Sequence, residues 1–215
     1  MLTVVLPVKN EPNLIPFLLR LHEVLESIPE PYEVLVVRGD REKLNNPLPP
    51  LPNQTELKCY ADSLERAILL GFSCAKGDKI CVCDADGSHP IDLIPTMNIL
   101  LASCDIVVGS RFLSESKFHQ TFFRKFVSKV FVKYAQFFGS NLTDPMSGFF
   151  LFRKKILEKV KFLPYTWKTC LEIELKSGGR VEEIPITFNN RADGISKADL
   201  GVATKIFKDL LFEKL

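Results

Sequence analysis

Short apolar runs alternate with longer segments of helical periodicity through the first half of this chain. Each run has the length and continuity of a buried strand, and the first stops at Pro7. The predicted strands cover residues 4–6, 33–37, 57–60, 79–83 and 105–108. The predicted helices cover residues 12–27, 62–75 and 91–101. This repeated order predicts an α/β fold with a mainly parallel sheet flanked by helices.

Length and composition limit the chain to one ordinary globular unit. It has 215 residues, of which 46% are hydrophobic and 25% charged, so we expect a single domain over residues 1–215. The six cysteines show no zinc-ligand spacing, which favours reduced thiols. No apolar run approaches the roughly 20 residues of a membrane span, and the N-terminus lacks the features of a signal peptide. We therefore expect no transmembrane helix.

Polar side chains follow the predicted strands where each of them ends. Asn10 and Glu11 follow the first strand, Asp84 and Asp86 follow the fourth, and Arg111 follows the fifth. Ligands of open parallel sheets bind at the carboxyl ends of the strands. Two carboxylates at positions i and i+2 suit one Mg²⁺ or Mn²⁺ ion that shares its coordination with substrate phosphates. The alternative is a solvated acidic turn.

A basic aromatic segment covers residues 116–141 and contains no Asp or Glu. Its cations are Lys117, Arg124, Lys125, Lys129 and Lys133, and its aromatics are Phe118, Phe122, Phe123, Phe126, Phe131, Tyr134, Phe137 and Phe138. This composition predicts a helix at a membrane surface. A core helix with a solvated basic edge is the alternative, and no nucleic-acid motif accompanies the segment. Residues 198–215 have the spacing of a second amphipathic helix.

Five motifs, in order, resemble those of family 2 glycosyltransferases of the dolichol-phosphate mannose synthase and polyprenyl-phosphate glycosyltransferase type. The motifs are LPVKNE at residues 6–11, DADGSHP at 84–90, DIVVGSRF at 105–112, TDPMSGFF at 143–150, and VEEIPITF at 181–188, which leads into RADGISK at 191–197. The resemblance covers about residues 3–200. It implies the GT-A nucleotide-diphospho-sugar transferase fold.

The resemblance also implies an activity. The expected reaction is the metal-dependent, inverting transfer of a sugar, with mannose from GDP-mannose as the best guess, onto dolichyl or polyprenyl phosphate. A UDP-sugar donor such as UDP-glucose is the rival within the enzymes. A non-catalytic member that binds lipid or scaffolds a partner is the rival of another class. The resemblance further implies that the domain attaches peripherally to the cytoplasmic face of a membrane, with a possible membrane-anchoring subunit.

By resemblance, individual residues receive roles. The metal site comprises Asp84, Asp86 and Ser88. The nucleotide-sugar site comprises Pro7, Asn10, Glu11, Asp40, Arg66, Asp84, Ala85, Asp86, Arg111, Arg191 and Lys197. The catalytic set comprises Asp86, Arg111, Asp144, Arg191 and Lys197, and the acceptor side comprises Arg124, Asp144, Ser147 and Glu172.

Three of these residues have structural alternatives, and the donor base stays open. Glu11 suits the first turn of a helix, Asp144 can cap the turn at Pro145, and Arg66 can be structural. His89 is expected to be a turn residue rather than a catalyst. The family's paired aspartates after the second strand are absent, and Asp40, in a different register, is the possible substitute.

Overall fold

The structure is a computed structural model, whose described residues form seven strands, five α-helices and two short 3-10 helices. It describes residues 1–9, 11–39, 48–60, 63–116, 122–162 and 168–187, with the backbone alone for 122–127. The strands are β1 (Leu2–Val8), β2 (Tyr32–Gly39), β3 (Gln54–Cys59), β4 (Lys79–Val82), β5 (Ile106–Ser110), β6 (Phe150–Arg153) and β7 (Val181–Pro185). The helices are α1 (Leu14–Glu26), α2 (Leu64–Cys74), α3 (Ile94–Leu100), α4 (Phe122–Phe137) and α5 (Thr169–Ser177).

The strands form one sheet in the order β3-β2-β1-β4-β6-β5-β7. Every pairing is parallel except those of β6, which runs antiparallel to both β4 and β5. The expectation of an α/β fold with a mainly parallel sheet is therefore confirmed. The reversed strand β6 was not among the predicted strands, although its Phe-Leu-Phe run is apolar throughout.

For β1 to β5 and α1 to α3, predicted boundaries lie within about three residues of the observed ones, whereas α4 is shorter than the predicted helix over residues 116–141. β1 shows why boundaries differ. The prediction that the strand stops at Pro7 is wrong, because β1 continues to Val8. The carbonyl of Val5 accepts a hydrogen bond from the backbone N–H of Cys83, so the backbone polar groups of Val5 face β4. The backbone nitrogen of Pro7, two residues later, faces the same side. Since β4 ends at Val82, the missing N–H of proline breaks no ladder bond there.

The two faces of the sheet bury separate cores. Val4 and Leu6 of β1 pack with α1 and α3 on one face, whereas Val5 packs with α2 on the other. This alternation follows from the two-residue period of a strand, and it explains why β1 is apolar throughout rather than alternately polar.

One edge of the sheet collects the chain segments that follow β4 and β5. Val82 and Val108 both pair with Phe150, so the start of β6 lies between the carboxyl ends of β4 and β5. β7 runs parallel to β5 and brings Pro185 beside Ser110. Residues far apart in sequence therefore meet at this edge.

Helix α4 lies within the basic aromatic segment. Phe131 and Ala135 are buried and pack with Leu171 of α5, while Phe137 is 83% exposed. None of the helices in the described ranges combines the length and apolar content that crossing a bilayer requires. The predicted helix over residues 198–215 lies outside the described part of the chain.

The buried imidazole of His22 should make stability depend on pH. Its Nδ1 lies 3.1 Å from the hydroxyl of Tyr32, and burial lowers its pKa below the ordinary value of 6.5. The unfolded chain therefore takes up a proton more readily, and the free energy of unfolding should fall as pH drops through 6.5. The loss is complete once the pH is below the lowered pKa.

Urea denaturation between pH 7.5 and pH 5 measures this effect. His89, whose pKa burial also lowers, contributes a loss of the same sign. We expect His22→Gln to show a smaller fall in unfolding free energy than the wild type over this range. An unchanged fall would exclude His22 as a source of the pH dependence.

Candidate active site

The turn after β4 presents two carboxylates at the sheet edge. Asp84 and Asp86 are both half-buried, while Ala85 between them is 2% exposed and packs into the core. Gly87 follows with φ of +75°, a conformation that glycine adopts without strain. The turn thus holds both acids near solvent on a buried support.

Ser88 orients the second carboxylate. Its backbone N–H donates to Asp86 Oδ1 at 2.9 Å, and its hydroxyl donates to the same oxygen at 2.5 Å. Ser88 is fully buried. The structure therefore places this residue directly against Asp86, and its predicted role as a third metal ligand stays a prediction.

His89 supports the first carboxylate, a role that sequence analysis did not assign. The backbone N–H of Asp84 donates to His89 Nδ1 at 2.9 Å, which leaves the proton of the neutral ring on Nε2. That nitrogen lies 3.9 Å from Asp84 Oδ2. Burial lowers the pKa of His89, and its ring stacks on Phe149 with centroids 5.4 Å apart.

Arg111, one residue beyond β5, forms an ion pair with Asp144. Nε donates to Oδ2 at 2.6 Å and a terminal nitrogen donates to Oδ1 at 2.8 Å. The backbone N–H of Arg111 donates to Oδ2 at 3.1 Å. The carboxyl of Asp144 is fully buried, whereas the Arg111 side chain keeps 18% of its surface exposed. Such a two-pronged pair fixes the plane of the guanidinium.

The loop before β6 joins this ion pair to the acidic turn. Ser147 donates its hydroxyl to the carbonyl of Gly109 at 2.7 Å, which ties the loop to β5. A Cβ at Gly148 would stand 3.6 Å from Asp84 Oδ2 and 3.3 Å from the His89 ring. The loop therefore lies next to the acidic turn, and a side chain at Gly148 would crowd the His89 ring.

Lys168 is a cation of the site that sequence analysis missed. It precedes α5 and lies close enough to Arg111, Asp144 and Asp84 for their charges to act on it. Burial, followed by the charge of Arg111, lowers its pKa to about 8, while the two carboxylates oppose that shift. No motif includes this lysine, so only the packing of α5 against the sheet edge could reveal it.

The donor set fits a hard divalent ion that a substrate helps to bind. Within the described ranges, no three His, Cys, Asp or Glu side chains converge on one point. Asp84 and Asp86 supply oxygen ligands alone, which suits Mg²⁺ or Mn²⁺ and suits neither zinc nor a soft metal. Such an ion would complete its shell with water and oxygen atoms of a ligand.

The remaining predicted residues divide into three groups. Pro7 is buried in β1 at the same edge, and Glu11 is half-buried just before α1. Arg66 lies exposed in the first turn of α2, where its backbone N–H donates to Ser63. The predicted Asn10, Asp40, Arg191 and Lys197, with the side chain of Arg124, lie outside the described part of the chain.

Two acceptor-side predictions fall on residues with structural contacts. The hydroxyl of Ser147 is used within its own loop. Glu172 is 3% exposed and accepts from Lys176 at 2.6 Å along α5. Their predicted roles toward an acceptor stay predictions.

Known proteins are similar to this chain in sequence and in fold. Residues 58–161 match glycosyl transferase family 2. The chain belongs to this family. A dolichol-phosphate mannosyltransferase of Pyrococcus furiosus is 32% identical over 207 residues, covering 91% of this chain and 58% of the relative. A polyprenol monophosphomannose synthase of Mycolicibacterium smegmatis is 33% identical over 146 residues, 62% of this chain and 55% of the relative.

Solved structures show the fold as well. Glucosyl-3-phosphoglycerate synthase of Mycobacterium tuberculosis, in complex with Mn²⁺, UDP-glucose and glycerol 3-phosphate, superposes with a TM-score of 0.60 at 14% identity. That superposition covers 98% of this chain and 79% of the other. The expected GT-A fold is thereby confirmed. The chain spans less than two thirds of the length of the curated relatives named above.

Breaking the buried ion pair should destabilise this family 2 domain. Asp144→Asn leaves the guanidinium of Arg111 without its counter-charge in a site where Asp144 has no exposed surface. We expect a loss of about 3 kcal/mol in unfolding free energy, because an uncompensated charge remains inside. The matched control, Asp92→Asn, breaks a pair with Arg20 that is mostly exposed and should cost less than about 1 kcal/mol. Equal losses in urea denaturation would contradict the assigned burial.

Proposed function

We propose that this family 2 domain transfers mannose from GDP-mannose to dolichyl or polyprenyl phosphate, with inversion and with Mg²⁺ or Mn²⁺. One observation carries the proposal: the loop that pairs Asp144 with Arg111 also places Gly148 next to Asp84 at the carboxyl edge of the sheet. Carboxylates for a cation and a fixed guanidinium for phosphate thus share one site. The names of the relatives supply the sugar and the lipid.

In this proposal, the acidic turn receives the donor diphosphate. Asp84 and Asp86 hold the metal, and Ser88 keeps the Asp86 carboxylate in one orientation. The bound ion would neutralise charge that develops on the departing nucleoside diphosphate. Arg111 and Lys168 add fixed positive charge on the other side of the site. Arg191 and Lys197, proposed from their motif, would contribute further cations.

The proposed chemistry is one displacement. An oxygen of the lipid phosphate attacks the anomeric carbon and forms the new C–O bond. The bond to the nucleoside diphosphate breaks, and its electron pair leaves with the diphosphate. Since a phosphate monoester is already anionic at neutral pH, the attacking oxygen has no proton to lose. Positioning and charge stabilisation then carry the reaction, with Asp144 acting through Arg111.

A UDP-sugar is the second donor candidate. The residues at the end of β2 support this candidate, because they differ from those of the family. Here the chain has Arg38, buried and ion-paired with Glu56 of β3, next to the place where the family has its acidic pair. A cation–carboxylate pair presents a different set of donors and acceptors to a base. Asp40 is proposed to contact the donor in the same region.

The exposed face of α4 supports peripheral membrane attachment in the proposal. Lys129, Val130, Lys133 and Phe137 are all exposed on this helix. The exposed ring of Phe137 and the side chains of Lys129 and Lys133 suit the surface of an anionic bilayer. A polyprenyl phosphate acceptor would lie in the same bilayer. We place the domain on the cytoplasmic face, with a membrane-anchoring partner subunit as a further proposal. A non-catalytic scaffold is the alternative of another class.

Transfer of radiolabelled sugar to dolichyl phosphate tests the reaction. Label from GDP-mannose should enter the lipid with Mg²⁺ or Mn²⁺ and disappear with chelator. Asp86→Ala should lower the rate by about 100-fold or more, because a metal ligand is lost. Asp92→Ala, whose carboxylate pairs with Arg20 on the surface, should leave the rate unchanged.

The panel of donors separates the candidates. Label from a UDP-sugar alone would retain the displacement and overturn GDP-mannose as donor. No transfer from any donor, by folded protein on membranes with dolichyl phosphate, would overturn the enzymatic proposal for this chain and favour the scaffold.

Vesicle binding tests the membrane face. Phe137→Ser removes a ring that is 83% exposed, and we expect about tenfold weaker co-sedimentation with phosphatidylglycerol-containing vesicles. Ile99→Ser, on α3, removes a side chain that is 73% exposed and serves as the matched control. Equal binding by the two variants would show that α4 is not the attachment surface.

A further inference from the structure

We infer that Glu183 of β7 is a positioning residue that sets the Arg111 guanidinium through Thr143 and Asp144. The inference rests on the proposed role of Arg111 as a phosphate-binding cation. Glu183 is part of the motif at residues 181–188, but that motif gave it no role in the site. It makes its contacts from β7, the edge strand of the described sheet.

Glu183 holds the start of the loop that carries Asp144. Its Oε2 accepts the backbone N–H of Thr143 at 2.8 Å, and its Oε1 accepts the backbone N–H of Asp144 at 3.1 Å. The hydroxyl of Thr143 lies 3.0 Å from Oε1 and donates to it. One carboxylate thus satisfies three donors of two consecutive residues, which fixes the direction in which this part of the loop leaves α4.

The same contacts connect the loop to β5. Ser110 Oγ lies 2.6 Å from Thr143 Oγ1, and because Thr143 donates to Glu183, its oxygen is free to accept from Ser110. Glu183 pairs in register with Val108 of β5, so the acid stands beside the strand that ends at Ser110. Hydrogen bonds therefore hold β5, the loop and β7 together next to Arg111.

Asp144 connects this loop to the guanidinium of Arg111. Its carboxylate is fully buried and accepts three bonds from Arg111, one of them from the backbone. A shift of the Asp144 backbone moves both oxygens, and the guanidinium must then follow or lose a bond. Positioning matters because small displacements of a charged group away from its substrate reduce catalysis strongly.

The neighbouring Glu182 provides the comparison that separates this role from general stability. It lies on the same strand and accepts the hydroxyl of Ser103 at 3.0 Å in an exposed contact, away from the loop. Glu183→Gln keeps the shape of the side chain but turns one acceptor into a donor that faces N–H groups. Glu182→Gln makes the same chemical change without that conflict.

The first readout needs no activity. In protein labelled with ¹⁵N-arginine, the Nε–H signal of Arg111, identified by its absence in Arg111→Lys, should exchange slowly with solvent. We expect about tenfold faster exchange in Glu183→Gln and no change in Glu182→Gln, because the bond to Asp144 is loosened in the first variant alone. An unchanged signal in folded Glu183→Gln would overturn the inference even if the wild type proves inactive.

A double-mutant cycle provides the second readout once transfer is measured. Glu183→Gln should lower the transfer rate about tenfold in the wild type, and less than about twofold when Arg111 is already alanine. Equal factors in both backgrounds would contradict action through Arg111. If Glu183→Gln does not fold, Glu183→Asp replaces it in both experiments, with a partial effect expected. Full wild-type behaviour of Glu183→Asp in both would overturn the proposal.

Discussion

The buried ion pair between Arg111 and Asp144 is the contact on which the candidate site depends. A fully buried carboxylate is stable only when its charge and its lone pairs are satisfied, and Arg111 does this with three hydrogen bonds. The pair joins the end of β5 to the loop before β6. That loop in turn places Gly148 against Asp84. The ion pair therefore anchors a loop that also borders the acidic turn.

The reversed strand β6 makes this arrangement possible. It lies between β4 and β5 and runs opposite to both, so its first residues meet the last residues of its neighbours. A parallel strand in that place would bring its end there instead of its beginning. Phe149, just before β6, then supports the His89 ring that holds the backbone of Asp84. The antiparallel strand thus gives the acidic turn a second support.

Sequence reasoning located the parts of the site that follow predicted strands. Asp84, Asp86 and Arg111 were found because an apolar strand directly precedes each of their segments. Asp144 was identified through its motif, and the structure brings it to Arg111. Lys168 and His89 were missed as functional residues, the first because no pattern marks it and the second because a turn histidine looks ordinary. The charged groups near Lys168 are Arg111, Asp144 and Asp84, and the ring that stacks on His89 is Phe149, all of them distant in sequence.

The sequence by itself determined the alternation of strands and helices, the α/β class and the family, since periodicity and motif order are local properties. It also determined the position of the acids after β4. Only the tertiary structure decided that β6 is reversed, that Asp144 is buried against Arg111, and that Glu183 holds Thr143 and Asp144. The physical reason is that burial, strand direction and the pairing of charges depend on which segments meet across the sheet. No local pattern along the chain encodes those meetings.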